Sequence, residues 1–556
     1  MKKVIAWVAL GLGIIAAGFF FYFKKNKLRD FEPQIKEKIS NLVKQASDGL
    51  YDLQIGKLEV DVVASKIILI NAHLIPDTVL YNRLLQQKLA PSDIFDVTVN
   101  SLVINGVSAP DFLAGKSVNL GTLFIDEPEI HVYHKKLSYQ PVNSDSTKTV
   151  YELISKDVSS IQLDTLLIKN IDFTYHNLSR NNKKTKFDKV NVVFTGFLLD
   201  SASQYDKNRF LYAKDCRINV KDYGFNSGDS LYRLKAAEID VQTNSKTMEI
   251  KNLRLSPRVK RADFYRQKKH EADIFNVTIN DISIANVHWW SLLAEESFIA
   301  NNAVIKNGKV EIFRDKSVAD DTSSKAGKYP HQLLMKVPFD LNIGKLDVRN
   351  LDVSYEEFNE KSKQSGKVFF NDISGTLSNI TNENGQIQQN RFCTINADAK
   401  FLGETPIRVK FIFDLKAAKN GNFEVISHMD HLNGEKLNSI TEPLGLVKIN
   451  SLNIKSLDAS MKADNQRSVG TVKLIYDDLH VTALKENGED SLKKRALFSF
   501  IANNFVIKKE NKEGKSVRVA HVTRERVMEK SFFNLIWKTI FMGAGETAGY
   551  KVKQGK

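Results

Sequence analysis

Cysteine is nearly absent from this chain: Cys216 and Cys393 are the only two in 556 residues. They lie far apart, which excludes a disulfide framework, and both read as small buried apolar residues. The signatures of nucleotide and nucleic-acid binding are also missing. Gly543-Ala544-Gly545-Glu546 is glycine-rich, but it follows no strand and lacks the Lys-Ser/Thr pair of a phosphate loop. No basic stripe carries interleaved aromatics, so nucleic acid is not an expected partner. There is no Gly-x-Ser-x-Gly, and no cysteine sits in a catalytic Cys/His context. His131/His134 and His428/His431 are the only close histidine pairs. On a strand, positions i and i+3 point to opposite faces, so neither pair chelates one metal well. No catalytic residue, metal or cofactor is assigned, and the chain is not expected to be an enzyme.

What the chain does have is repetition, at a spacing of about 180 residues. Asp93-Ile94-Phe95-Asp96-Val97-Thr98-Val99-Asn100 returns as Asp273-Ile274-Phe275-Asn276-Val277-Thr278-Ile279-Asn280. The match runs without a gap to His134 and Arg314, with roughly twelve identities in about forty-two positions. It resumes at Leu166, Asn170, Asp172 and Tyr175 against Leu346, Asn350, Asp352 and Tyr355. Upstream it continues one residue out of step, with Asn71 and Pro76 on Asn252 and Pro257. Such repetition suits an architecture that grows by adding units.

Within the repeats the hydrophobic period is two. Phe95-Val97-Val99, Ile171-Phe173-Tyr175 and Leu351-Val353-Tyr355 alternate apolar and polar residues, which describes strands with one wet and one apolar face. Asn105-Gly106 and Asn307-Gly308 read as turns. Two polar loops, Lys135–Lys148 and Asp315–Lys328, occupy the same place in each repeat, as do short helical stretches near 111–114 and 291–295. About 25 to 30 strands are expected, which in one sheet at roughly 4.8 Å each would curl rather than lie flat. The fold class is therefore mainly β: an elongated, curved antiparallel β-sheet groove built from two internal repeats, with an N-terminal transmembrane helix and a few short helices. Phe95 and Phe275 are expected to face the same way. The net charge of +15 is diffuse and describes a solvated face, with attraction to an anionic membrane as the second reading.

Val4 to Phe23 carries no charge and is long enough to cross a bilayer core of about 30 Å. Trp7 and Phe21 supply interfacial aromatics. Lys24-Lys25-Asn26-Lys27 follows where a signal peptide would carry its small-residue cleavage site, so an uncleaved anchor is expected. Lysines flank both ends, and charge alone does not orient it. From Phe31 to Leu50, an apolar stripe (Ile35, Ile39, Leu42, Val43, Ala46) marks an amphipathic helix. Near the other end, Ser531–Met542 is rich in Phe and Trp but too short to span a bilayer. It reads equally as an interfacial membrane helix, touching lipid through Phe532, Phe533 and Trp537, or as a cap over the sheet.

The segment Gly421 to Leu484 carries a family resemblance. Asn433-Gly434, Leu437-Asn438-Ser439-Ile440-Thr441-Glu442-Pro443-Leu444, Val447–Leu452, Gly470-Thr471-Val472 and Tyr476–Val481 resemble the C-terminal region of AsmA-like proteins. Ser531 to Gly549 is similar to the tail that follows it in Bacteroidota members. The resemblance implies an inner-membrane anchor with the body in the periplasm. It also implies kinship with TamB-like and bridge-like lipid-transfer proteins, whose repeating β-groove carries acyl chains. On this reading residues 1–29 are the anchor and 30–52 the amphipathic helix. Residues 53–235 and 236–418 are the two β repeats, 419–515 the AsmA-like region, and 516–556 a basic segment with the apolar helix. The expected function is to shield acyl chains in phospholipid transport or outer-membrane lipid homeostasis. The alternative is a scaffold for outer-membrane protein assembly or envelope organisation. Expected partners are phospholipid or another envelope lipid, the membrane, and other envelope proteins. Candidate lipid-binding residues are Phe95, Val97, Val99, Phe173, Tyr175, Phe275, Val277, Ile279, Val353 and Tyr355, since each lies on the apolar side of a period-two segment. The rival reading of these ten is an ordinary self-packed core.

Overall fold

The computed structural model describes residues 32–549, apart from 62, 107–116, 138, 140–150, 152–158, 180–182, 207, 295–296, 486–492, 495–507 and 515. The expected anchor, with Trp7 and Phe21, and the helical stretch near 111–114 lie outside these residues. No described helix is long and apolar enough to cross a membrane. The described chain is mainly β and divides into two compact units. One comprises the residues up to Phe225 with Ala236–Ile250 and Leu293–Glu295; the other comprises Asn226–Lys235, Lys251–Leu292 and the residues from Glu296 on.

The first unit opens with helix α1 (Glu32–Ala46), followed by β1 (Tyr51–Asp61), β2 (Lys66–Pro76), helix α2 (Thr78–Gln86) and β3 (Asp93–Asn105). Then come β4 (Ser117–Asp126), β5 (Glu129–His134), β6 (Ser160–Asn177), β7 (Lys183–Leu199) and β8 (Asp215–Asn226). Asp77 caps α2, its carboxylate accepting from the Val79 and Leu80 amides. Most pairings are antiparallel, but β6 runs parallel to both β4 and β5. β9 (Tyr232–Gln242) and β10 (Thr247–Pro257) have residues in both units.

The second unit continues with helix α3 (Arg261–Lys268), β11 (Ile274–Val287), helix α4 (Trp289–Ala294), β12 (Phe298–Asp315), helix α5 (Pro330–Leu334), β13 (Leu341–Asn359) and β14 (Gln364–Thr381). Beyond helix α6 (Asn384–Gln389) lie β15 (Phe392–Phe401), β16 (Thr405–Asp414), β17 (Phe423–Met429) and β18 (Leu432–Asn433). Helix α7 (Asn438–Gly445), β19 (Val447–Ala463), β20 (Arg467–Lys485), β21 (Lys493–Lys494), β22 (Ala520–Glu525) and helix α8 (Phe532–Thr547) complete it. Here β12 and β13 are parallel and the other ladders of β11–β17 antiparallel.

The sheet structure is thus mixed, not antiparallel throughout as the alternation suggested. Parallel neighbours need a long return connection. The polar loops at 135–148 and 315–328 fall on those returns, and hydropathy does not register strand direction. The described strands also number 22, below the expected range, because several run to 17–19 residues.

Bulges let single strands run so far. In β6, Ile168 pairs Val192, Ile171 pairs Val190 and Phe173 pairs Phe187, so one extra residue enters β6 and then one enters β7. In β13, Val348 pairs Gly375, Leu351 pairs Ile373 and Val353 pairs Phe370, the same compensating pair of bulges. The extra residues adopt positive φ: Asn170 (54°) and Lys189 (55°), Asn350 (56°) and Asp372 (53°). A bulge bends its strand and adds local twist. It also lets the apolar alternation shift by one without turning inside out, from Leu346 and Val348 to Leu351, Val353 and Tyr355. Asn tolerates the left-handed region because its short side chain bonds locally. Asn350 Nδ2 donates to Asn307 Oδ1 (2.8 Å), and Asn170 Nδ2 to Asp126 Oδ1 (3.1 Å). Asn307, read above as part of a turn, instead sits inside β12 at φ 55°. Asn350→Val is therefore expected to cost about 2 kcal/mol, from left-handed strain at a β-branched residue and the lost hydrogen bond. Asn350→Gly should cost less. Urea unfolding of the two variants checks this, and equal midpoints would remove the strain argument.

Candidate functional site

The ten predicted residues fall on adjacent cross-strand rungs, five in each unit. In the first unit Phe95 pairs Val132, which pairs Tyr175. Val97 pairs Ile130, which pairs Phe173, and Val99 lies opposite Ala72. In the second, Phe275 pairs Ile312, which pairs Tyr355; Val277 pairs Val310, which pairs Val353. Ile279 completes the set through Gly308 and Leu351. The residues around the rungs correspond as well. The Phe95 amide donates to the Tyr51 hydroxyl (3.3 Å), and the Phe275 amide to the Tyr232 hydroxyl (3.2 Å). Asp93 pairs with His134 Nδ1 (2.8 Å), and Asp273 with Arg314 Nε (2.7 Å). Burial alone would lower the Arg314 pKa, but the Asp273 hydrogen bond and charge outweigh it and raise it. Burial, then Glu357, raises the Tyr355 hydroxyl's pKa well above the phenolic range.

Equal register does not bring equal burial. Phe95 is 3% exposed and Phe275 36%. Above Phe95 lie Val43 of α1, Tyr81 of α2, Leu50 and Tyr51, with the Tyr51 ring stacked on Phe95 at 6.5 Å. In the second unit, α3 spends Phe264 and Tyr265 on Leu231 and Ile274 instead. The contrast extends along the parallel strands. Leu166, Ile168 and Ile171 of β6 are buried in a cluster that includes Ile39 of α1, Leu211 and Ala213. Their counterparts in β13, Leu346, Val348 and Leu351, are only half-buried, as are Val353, Tyr355 and Val277, Ile279 and Val310. No buried core cluster among the described residues includes any of these eight. Along β11–β13 these residues thus form a half-buried apolar row, bounded by the buried Ile284 and Ala303 and by β14, whose Val368 and Phe370 join a cluster with Ile440 of α7. In the first unit Phe95 and the β6 row Leu166, Ile168 and Ile171 are buried, while Val97, Val99, Phe173 and Tyr175 are half-buried like their counterparts but pack against the buried clusters.

Further along the second unit, the apolar side is covered again. Helix α8 lays Phe532, Leu535 and Ile536 against Phe413, Phe423, Val425 and Met461. At Gly543 the helix comes close to the sheet: a Cβ there would stand 2.4 Å from Val472 Cγ2. Phe532, predicted to touch lipid, is instead buried in this cluster, because it begins the stripe that faces the sheet. Phe533 and Trp537 are exposed, and so is Phe541, which the sequence reading omitted although it continues their i, i+4 spacing.

The polar side of the same strands holds a broad depression of about 760 Å³. The rung Asp398, Arg408, His428, Asp458 and Lys473 crosses it. His428 bonds Asp458 (2.6 Å) and Asp430 (3.0 Å), and these two hydrogen bonds raise its pKa. Acidic and basic groups lie side by side along it and offset one another, the pattern of a solvated sheet face. The other paired histidines are tied as well: His131 to Glu129 on its own strand and to His176 on the next, and His431 to Asn453. No group of three or more metal-ligating side chains occurs among the described residues. Both cysteines are buried, and burial raises the pKa of the Cys216 thiol to about 12 and that of Cys393 to about 11. No family model and no curated protein matches the chain.

Proposed function

We propose that this protein is an AsmA-like, membrane-anchored β-groove protein. It shields lipid acyl chains on the β11–β14 face and takes part in phospholipid transport or outer-membrane lipid homeostasis. The carrying observation is the half-buried apolar row of Leu346, Val348 and Leu351 in β13, set against the buried Leu166, Ile168 and Ile171 in β6. A protein that only needed a core would gain by covering both. Each methylene moved from water onto such a surface is worth about 0.8 kcal/mol, so acyl chains would be held there without any chemistry. Residues 93–177 and 273–355 are read as two copies of one unit, supported by their shared rungs, bulges and capping tyrosines. The bulges would curve the strands into a trough. Residues 4–23 would anchor the chain in the inner membrane with the body in the periplasm. Val277, Ile279, Val353, Tyr355 and Phe275 are the residues proposed to meet lipid. Phe95 is buried, and Val97, Val99, Phe173 and Tyr175 pack half-buried against clusters of the protein's own side chains, which favours the scaffold role for the first unit. A photo-crosslinking residue placed at Val277 or Val353 in cells should yield phospholipid adducts, and one at Ile168 should not. Absence of lipid adducts at both Val277 and Val353 would sink the groove reading.

A further inference from the structure

We propose that the outward side of α8 is a docking surface for an anionic lipid bilayer, a second membrane contact separate from the N-terminal segment. This helix is apolar on both sides. Its inner side (Phe532, Leu535, Ile536, Met542) is spent on the sheet, yet Phe533, Trp537 and Phe541 stand 64%, 42% and 57% exposed on the other. They follow one another at i, i+4 and i+8, and the Trp537 and Phe541 rings stack at 6.4 Å. Three large aromatic rings in one exposed row mark an interaction site, not routine surface.

Charge selects the occupant. Lys538 is exposed beside Trp537, and exposed Lys508 and Lys509 lie at the C-terminal end of the helix, where the Lys508 amide donates to the Ala548 carbonyl (3.0 Å). Arg518 Nε donates to the Thr547 carbonyl there (2.8 Å). Lys530 is committed elsewhere, paired with the buried Glu271. Aromatic rings with lysines beside them suit the headgroup boundary, the rings reaching the acyl edge and the ammonium groups the phosphates. A 16-residue helix is about 24 Å long, too short to cross, so it would lie in the membrane plane. The proposed contact consists of the outward side of α8 and the lysines at its C-terminal end. It would also hold the open face of the same unit near a bilayer, but it does not rest on lipid binding there.

The test uses the full chain with Trp7, Trp289 and Trp290 changed to Phe, so that Trp537 is the only tryptophan. It is reconstituted into vesicles of phosphatidylcholine and phosphatidylglycerol containing brominated phosphatidylcholine. Trp537 emission should shift to the blue and be quenched by the brominated lipid, less so when phosphatidylglycerol is omitted or salt is raised. Adding Phe533→Ser and Phe541→Ser should abolish most of the quenching while leaving the thermal melt unchanged, since both rings are exposed. If that variant melts early, Lys508→Glu with Lys509→Glu should weaken quenching in the anionic vesicles alone. The proposal fails if Trp537 stays open to iodide and untouched by brominated lipid. It fails also if Trp537 is shielded from both, which would mean a protein covers it, or if the quenching survives the substitutions. Lipid adducts at Val277 or Val353 are read independently, so either idea can fall alone.

Discussion

Leu346→Asp is expected to leave the protein folded, while Leu166→Asp should unfold the first unit. The two leucines occupy equivalent places in β13 and β6, pairing Ala303 and Leu123 respectively across the parallel ladder. Leu166 is 6% exposed inside the largest apolar cluster, so a carboxylate there would be buried with no partner, at a cost of about 4 kcal/mol or more. Leu346 is half-buried and belongs to no buried cluster of described residues, so an aspartate could stay partly hydrated. The cost should be nearer 1 kcal/mol, the range of strand preference and partial burial. Urea unfolding of the two variants measures the difference. Equal large losses would mean that the β11–β14 face is covered after all, and the proposed lipid surface would go with it.

The second large effect is acid sensitivity seated at His331. This residue lies in α5, 2% exposed, between the rings of Tyr329 (6.2 Å) and Phe413 (5.1 Å). Neither ring nitrogen has a hydrogen-bond partner among the described residues. Burial lowers its pKa from the usual 6.5 to about 4, slightly opposed by the charge of Asp414. A folded pKa below the unfolded one means that the unfolded chain binds more protons between those values. Stability is therefore lost as pH falls from about 6.5 to about 4, and this one residue contributes a loss of about 3 kcal/mol over that window. Leu in its place forfeits no hydrogen bond. Histidine 331→Leu should thus match or exceed the wild type at neutral pH and lose less on acidification. Stability of both proteins at pH 7 and pH 4 checks it. Identical pH profiles would show that the imidazole reaches water in the folded state.

The alternation of apolar residues determined locally that Phe95, Val97 and Val99 share one side of a strand, and likewise Phe275, Val277 and Ile279. The matched spacing also brought Tyr175 and Tyr355 onto the corresponding rungs. Helices at 32–46 and 532–547 were legible for the same reason, since their apolar stripes recur at helical spacing. The aligned asparagines carried a further signal that was read only as repetition. Asn170 and Asn350 are places where the backbone takes a left-handed step, one of few roles for which Asn is better suited than most residues.

Tertiary structure alone decided what covers each face. Leu166 and Leu346 have the same identity, the same alternation and the same place in a parallel ladder, so their own strand pattern does not separate them. Their difference is that Leu166 shares a buried cluster with Ile39, Leu211 and Ala213, which arrive from distant sequence, and Leu346 does not. Strand direction was hidden likewise, because a parallel and an antiparallel neighbour present the same two-residue period. The division of α8 into a buried and an exposed side came from the sheet it meets: a helix apolar all round does not say which of its aromatics the core will take. Here Gly543 lets one side close on Val472, which turns Phe532 inward and leaves Phe533, Trp537 and Phe541 outside.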